Sequence, residues 1–152
     1  MADEGPPPLD LPVLALPVED VVALHQLVAL YAHIVDDADF DRLTEIFTSD
    51  IEFDTSAFGN PPLVGIEPVI ASYVGARHPV AHHITNVVVT TDGDGAVCIR
   101  SKVISLLAGG LCGSGTYDDV AARTPDGWRI KKRTIGLRRE SDLAKPPPRP
   151  AH

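Results

Sequence analysis

Cysteine is nearly absent. The two present, Cys98 and Cys112, are too few for a disulfide framework and cannot by themselves complete a four-ligand zinc site. Long apolar runs are missing as well: none approaches the roughly 20 residues that span a bilayer, so no membrane partner is expected. Basic residues are in the minority, 13 against 21 acidic ones for a formal net charge of −8. That balance argues against nucleic acid or an anionic membrane surface as a partner. The opening "MADEGPPPLD" lacks the basic and apolar regions of a secretory signal, so a cytoplasmic location is expected.

Cofactor and metal motifs are also wanting. "GGLCGSG" lies between strand-like segments rather than between a strand and a helix, where a phosphate cradle would need it. "DDADFD" is no calcium loop, because the sixth position from Asp37 is Arg42 rather than glycine. No Ser-His-Asp spacing or metal-ligand cluster stands out. The expectation is a chain that works without cofactor or metal.

What is present is enough for one domain. A chain of 152 residues with 44% hydrophobic content can bury about 70% of its unfolded surface. The ends, "EGPPPLDLP" and "KPPPRPAH", are proline-rich, which predicts extended, flexible segments at 1–16 and 144–152 around a domain at 17–143. A helix is predicted from Pro17, with Glu19 and Asp20 in its first turn and an apolar stripe of Leu24, Leu27, Val28, Tyr31, Ile34 and Val35. "DFDRLTEIF" fits a second, short helix that Asp39 could cap, with Phe40, Leu43 and Phe47 inward. "SDIEFDTS" reads as a short strand, and "GIEPVIASYVGA" as a third helix presenting Ile66, Val69, Ile70 and Tyr73.

The second half reads as strands. Residues 80–91 and 96–107 flank "DGDG", and residues 111–123 and 128–139 flank "TPDG", two hairpin turn signals. Across the glycine turn near Gly109, Cys98 should lie opposite the region of residue 120 and Cys112 opposite that of 106, leaving the thiols far apart. Three helices followed by an antiparallel meander imply an α+β fold, helices on one face of a curved sheet.

Within "VAHHITNVVV" two histidines stand side by side, and successive strand side chains point to opposite faces. His82, Ile84, Asn86 and Val88 form one set; His83, Thr85, Val87 and Val89 form the other. Both are partly apolar, so parity alone leaves either histidine inward. On 96–107 the pattern is clearer: Arg100 and Lys102 face solvent, and Val97, Ile99, Ser101, Val103 and Ser105 face the interior.

The segments "LYAHIVDDADFDRLTEIFTSDIEFD", "HHITN" and "GTYDDVAARTPDGWRI" resemble the SnoaL-like branch of the NTF2-like superfamily, over about residues 18–138. The resemblance implies a cone in which three N-terminal helices pack on a strongly curved, antiparallel or mixed sheet around an apolar pocket. Members include scytalone dehydratase, bile-acid dehydratase, steroid isomerase, polyketide cyclases and limonene epoxide hydrolase; others only bind or assemble, so the fold does not fix the function. The dehydratase-like pattern pairs an aspartate at the end of the first helix with a histidine on the first long strand. By position these are Asp36 and His82, and the resemblance thus favours His82 as the inward histidine. Scytalone dehydratase has a second catalytic histidine on the next strand. Here that strand, "VCIRSKVISLL", has none, and the Tyr-Asp-His pattern of bile-acid dehydratase fits better, with Tyr31, Asp36 and His82.

The expected function is a cofactor-independent dehydratase, isomerase or cyclase. It would use an Asp36–His82 acid-base pair, with Tyr31 as hydrogen-bond donor, on a small hydrophobic hydroxy-carbonyl substrate. Phe53, Tyr73, Asn86, Ser101, Val103, Tyr117 and Trp128 are expected around that substrate. Each catalytic candidate also has a plainer role: Tyr31 in the helix stripe, Asp36 as a helix-ending acid, His82 as a core histidine. The rival function is a binding or assembly module without turnover. An epoxide hydrolase, which needs an Asp-Arg-Asp arrangement, lacks an obvious inward arginine. An apolar outer sheet face, together with the resemblance, predicts self-association, a homotrimer before a dimer.

Overall fold

The computed structural model describes residues 15–138. The proline-rich ends therefore lie outside the described residues, except that Leu16 packs against the core. Helix α1 runs Val18–Asp36 and has no side-chain cap at Pro17. A missing cap forgoes about 1 kcal/mol, whereas each buried Leu, Ile or Val contributes roughly 1.5–3 kcal/mol. The stripe therefore decides: Leu24, Leu27, Val28, Tyr31, Ile34 and Val35 are all buried, as their spacing predicts. By length and composition α1 could pass for a membrane span, but that stripe marks it as a core helix.

The second predicted helix is not α-helical. Phe40–Glu45 is a 3-10 helix, Asp39 makes no side-chain cap bond there, and Phe47 opens strand β1 (Phe47–Asp54) instead of closing a helix. Six residues leave room for barely two turns, too few to propagate an α-helix. A second 3-10 turn (Ser56–Phe58) and a two-residue strand β2 (Leu63–Val64) precede α2 (Ile66–Gly75). Among the described residues there are therefore two α-helices rather than the three expected. On α2, Ile66, Val69 and Tyr73 are buried.

Four long strands follow: β3 (Ala81–Thr91), β4 (Val97–Leu106), β5 (Cys112–Thr124) and β6 (Gly127–Arg138). The six-stranded sheet has the order β2-β1-β6-β5-β4-β3. It is mixed because β1 pairs with β6 in parallel and every other pair is antiparallel. Both turn signals hold. Asp92 Oδ1 accepts from the Asp94 and Ala96 backbone N–H groups at 3.0 and 2.8 Å, and Cys98 pairs with Val120 and Cys112 with Leu106.

Register shifts bend the sheet. One falls between Thr85 and Val88, where Asn86 takes a left-handed φ of 52°. A bulge of this kind switches side-chain parity. His82 and Ile84 face inward before it, Val87 and Val89 after it, so neither four-residue set in the sequence survives whole. On β4 the expected parity holds, with Val97, Ile99, Ser101 and Val103 buried and Arg100 and Lys102 exposed.

The outer face is less apolar than the sequence suggests. Most Val and Ile residues of the long strands point inward. The outside carries an Arg100–Asp118 ion pair at 2.9 Å and a Lys102–Thr116 hydrogen bond, with Val88, Ile104 and Leu106 as exposed apolar positions.

Candidate functional site

A cavity of about 860 Å³ opens between α2, its following loop and the concave side of the sheet. Tyr31, Phe53, Tyr73, His82, Val103 and Tyr117 line it, and the first three and last two of these are buried. Gly113 and Gly115 line it from β5. A Cβ at 115 would fall 2.8 Å from the Gly136 carbonyl oxygen and 3.0 Å from Val103, so only glycine fits there without movement.

Asp36 is the last residue of α1, where the helix dipole disfavours a negative charge by roughly 0.3–1 kcal/mol. Two donors from β3 compensate it. The His82 ring places Nδ1 at 2.7 Å from Asp36 Oδ1, and the His82 backbone N–H donates to Oδ2 at 2.9 Å and Oδ1 at 3.1 Å. The His82 side chain is only 7% exposed, while His83 is exposed on the other face.

Tyr31 extends from the same helix, and its ring lies 6.4 Å from that of His82. Its hydroxyl pairs with that of Tyr73 at 2.7 Å, both buried. Burial pushes the phenols of Tyr31, Tyr73 and Tyr117 well above their ordinary range, so all three stay protonated at neutral pH. Tyr117 also hydrogen-bonds to Tyr31, so the three phenols form a network in which one hydroxyl of the Tyr31–Tyr73 pair donates to the other.

Three of the expected substrate contacts lie elsewhere. Asn86 is exposed at the bulge. Ser101 is fully buried behind the cavity, its Oγ without a hydrogen-bond partner among the described residues. Trp128 donates from Nε1 to Asp20 at 3.0 Å and carries the Arg123 guanidinium over its ring. It therefore anchors the start of α1 rather than a ligand.

Other groups escaped the sequence reading. His78, in the loop after α2, places Nε2 2.7 Å from the Tyr73 carbonyl oxygen, stacks on the Tyr73 ring and lines the cavity. An inward arginine also exists. Arg133 is fully buried and grips Asp119 with two hydrogen bonds of 2.8 and 2.7 Å. Its guanidinium lies 4.2 Å from the Tyr31 ring centre and 4.3 Å from that of Tyr117. Burial pushes the Asp119 carboxyl up, and the guanidinium opposes that shift. The pair sits beneath the tyrosines and outside the cavity lining, so it supports the floor without reaching a ligand, and the epoxide-hydrolase reading gains nothing from it. Parity on β5 would have found Asp119, two residues from Tyr117. The register shift between Val120 and Ala121 hid its partner.

A family model described as SnoaL-like domain matches residues 17–134. The chain is 34% identical over 129 residues to an uncharacterized protein of Mycobacterium tuberculosis, covering 76% of this chain and 84% of that protein. A Novosphingobium aromaticivorans structure, provisionally named an aromatic ring hydroxylase, matches with 30% identity and a TM-score of 0.68, over 80% of this chain and 91% of its own. Another from the same organism, provisionally named a scytalone dehydratase, has a TM-score of 0.66 over 80% of this chain and 85% of its own. At 19% identity it shows the fold alone. A further structure from that organism, 27% identical with a TM-score of 0.65 over 78% of this chain and 82% of its own, is described as an NTF2-like protein with a cystatin-like fold. The chain belongs to the SnoaL-like domain family, within the NTF2-like superfamily.

Proposed function

We propose that the protein is a cofactor-independent dehydratase, isomerase or cyclase acting on a hydrophobic, polyketide- or steroid-like hydroxy-carbonyl compound. The observation that carries this reading is the 2.7 Å contact from Asp36 to Nδ1 of a histidine that also lines a cavity. A carboxylate accepting from Nδ1–H fixes the tautomer and leaves the lone pair on Nε2. Nε2 then takes a proton from the carbon beside the substrate carbonyl. The electron pair moves to the carbonyl oxygen, which receives a hydrogen bond from the Tyr31–Tyr73 pair as it becomes enolate-like.

In a dehydration the enolate re-forms the carbonyl, a carbon–carbon double bond forms, and the bond to the β-hydroxyl breaks. The imidazolium returns its proton to that hydroxyl, which leaves as water. Returning the proton to a different carbon would give isomerisation, and attack of the enolate on a second carbonyl would give ring closure. Positioned proton transfer supplies about 10²–10⁴-fold, and oxyanion donors about 10²–10³-fold, so both devices are needed.

Incubation with a panel of cyclic β-hydroxy-ketones, followed through enone absorbance, tests the reading. Turnover by the wild type that is lost in both Asp36→Asn and His82→Ala supports it. Ligands that bind and are never converted would place the protein among the non-catalytic members of its family.

A further inference from the structure

Among the described residues no Asp or Glu lines the cavity of this acidic protein, although acidic residues outnumber basic ones 21 to 13 in the chain. Its charged lining residues are two arginines, Arg77 in the loop after α2 and Arg138 at the end of β6, both exposed. Every other arginine among the described residues is engaged. Arg42, Arg100, Arg123 and Arg133 pair with carboxylates, and Arg129 donates to backbone carbonyls. Arg77 and Arg138 alone have neither an ion pair nor a hydrogen bond among the described residues. The two uncommitted guanidiniums thus lie on the same cavity, on the exposed part of its wall, while the buried tyrosines and the nearly covered His82 also line it.

We infer that the cavity selects an anionic amphiphile: an apolar body seated against the tyrosines, and an acid group, a carboxylate or its equivalent, held at the rim by Arg77 and Arg138. A net charge of −8 repels an anion at long range, so capture of one requires local cations. Guanidinium supplies them in the planar, two-pronged form that matches a carboxylate. That the anion is the substrate rests on the reading above; the charge preference belongs to the cavity itself.

The probes are 8-anilinonaphthalene-1-sulfonate and N-phenyl-1-naphthylamine, which share an aromatic body and differ by the sulfonate. Fluorescence titration of the full chain at low salt should show the sulfonate binding about tenfold more tightly, a factor matching one charge-assisted hydrogen bond. About 0.5 M salt should shrink that advantage, because the rim is open to solvent. In an Arg77→Gln/Arg138→Gln variant the two affinities should converge to within about twofold through loss on the sulfonate alone, while Arg100→Gln, which removes one positive charge from the outer face, should keep the preference. Circular dichroism verifies that each variant is folded. Equal affinities in the wild type, a preference that survives the double substitution or falls equally in Arg100→Gln, or no binding of either probe would each overturn the inference. The probes need no turnover, so failure of the acid-base pair in Asp36→Asn assays leaves this result standing and is read separately.

Discussion

The Asp36 carboxylate holds His82 twice, by the ring at Nδ1 and by the backbone N–H. One contact orients an imidazole; the other ties the end of α1 to the start of β3. An asparagine at 36 can still accept one of these hydrogen bonds, so the fold survives with a loss of about 1 kcal/mol. It cannot stabilise an imidazolium. Asp36→Asn should therefore lose about 10²–10⁴-fold in turnover while its urea midpoint moves only slightly. Unchanged turnover in a folded variant would remove the pair from the mechanism.

His82 and His83 are neighbours with opposite surroundings, one almost covered and lining the cavity, the other exposed. Replacing His82 by Ala should abolish most turnover. Replacing His83 by Ala should change turnover by less than about threefold and stability by within about 0.5 kcal/mol, as for an ordinary surface site. Kinetics on the two purified variants decide the matter, and the reverse order would mean that the proton passes on the outer face.

The chain's three tyrosines, Tyr31, Tyr73 and Tyr117, are all buried, and burial raises each phenol above its ordinary value of 10.0. The unfolded chain then loses phenolic protons first as pH rises, so it binds fewer protons than the folded one. Stability contributed by these groups is complete below pH 10 and falls above it, by up to about 1.4 kcal/mol per pH unit for each tyrosine. Urea unfolding between about pH 9 and 11 should show this fall. Phenolate absorbance should appear together with loss of the fold, and a phenolate signal in a still-folded protein would contradict the burial.

Much of this was legible in the sequence because the relevant signals are local. The α1 stripe, the two Asp-Gly turns and the β4 alternation each depend on residues within one element, and each appears where its spacing puts it. Asp36 and His82 became a pair only through family resemblance, since they are 46 residues apart and nothing local joins them. What stayed hidden was set by register. The bulge at Asn86 turns that side chain away, and the shift on β5–β6 conceals that Arg133 faces Asp119. Phe47 looked helical because its spacing from Leu43 fits either period, and the β6 pairing makes it a strand residue.

The Arg133–Asp119 pair yields the strongest stability prediction. Both side chains are fully covered, and two of the guanidinium's three nitrogens are satisfied by Asp119. The third, Nη1, has no partner among the described residues, so the rings of Tyr31 and Tyr117 do much of the remaining work of solvating the cation. Asp119→Asn keeps the shape but leaves a buried charge without its counter-charge, which costs about 3–5 kcal/mol. Arg133→Met removes the cation instead; Asp119 can then take up a proton in the direction its burial already favours, so the loss should be smaller at pH 5 than at pH 8. Combining Arg133→Met with Asp119→Leu should recover stability relative to Asp119→Asn, because no buried charge remains. Urea denaturation at both pH values measures all three. A cost below about 1 kcal/mol for Asp119→Asn would show that the pair is hydrated, and that the floor under Tyr31 is wetter than its 2% exposure indicates.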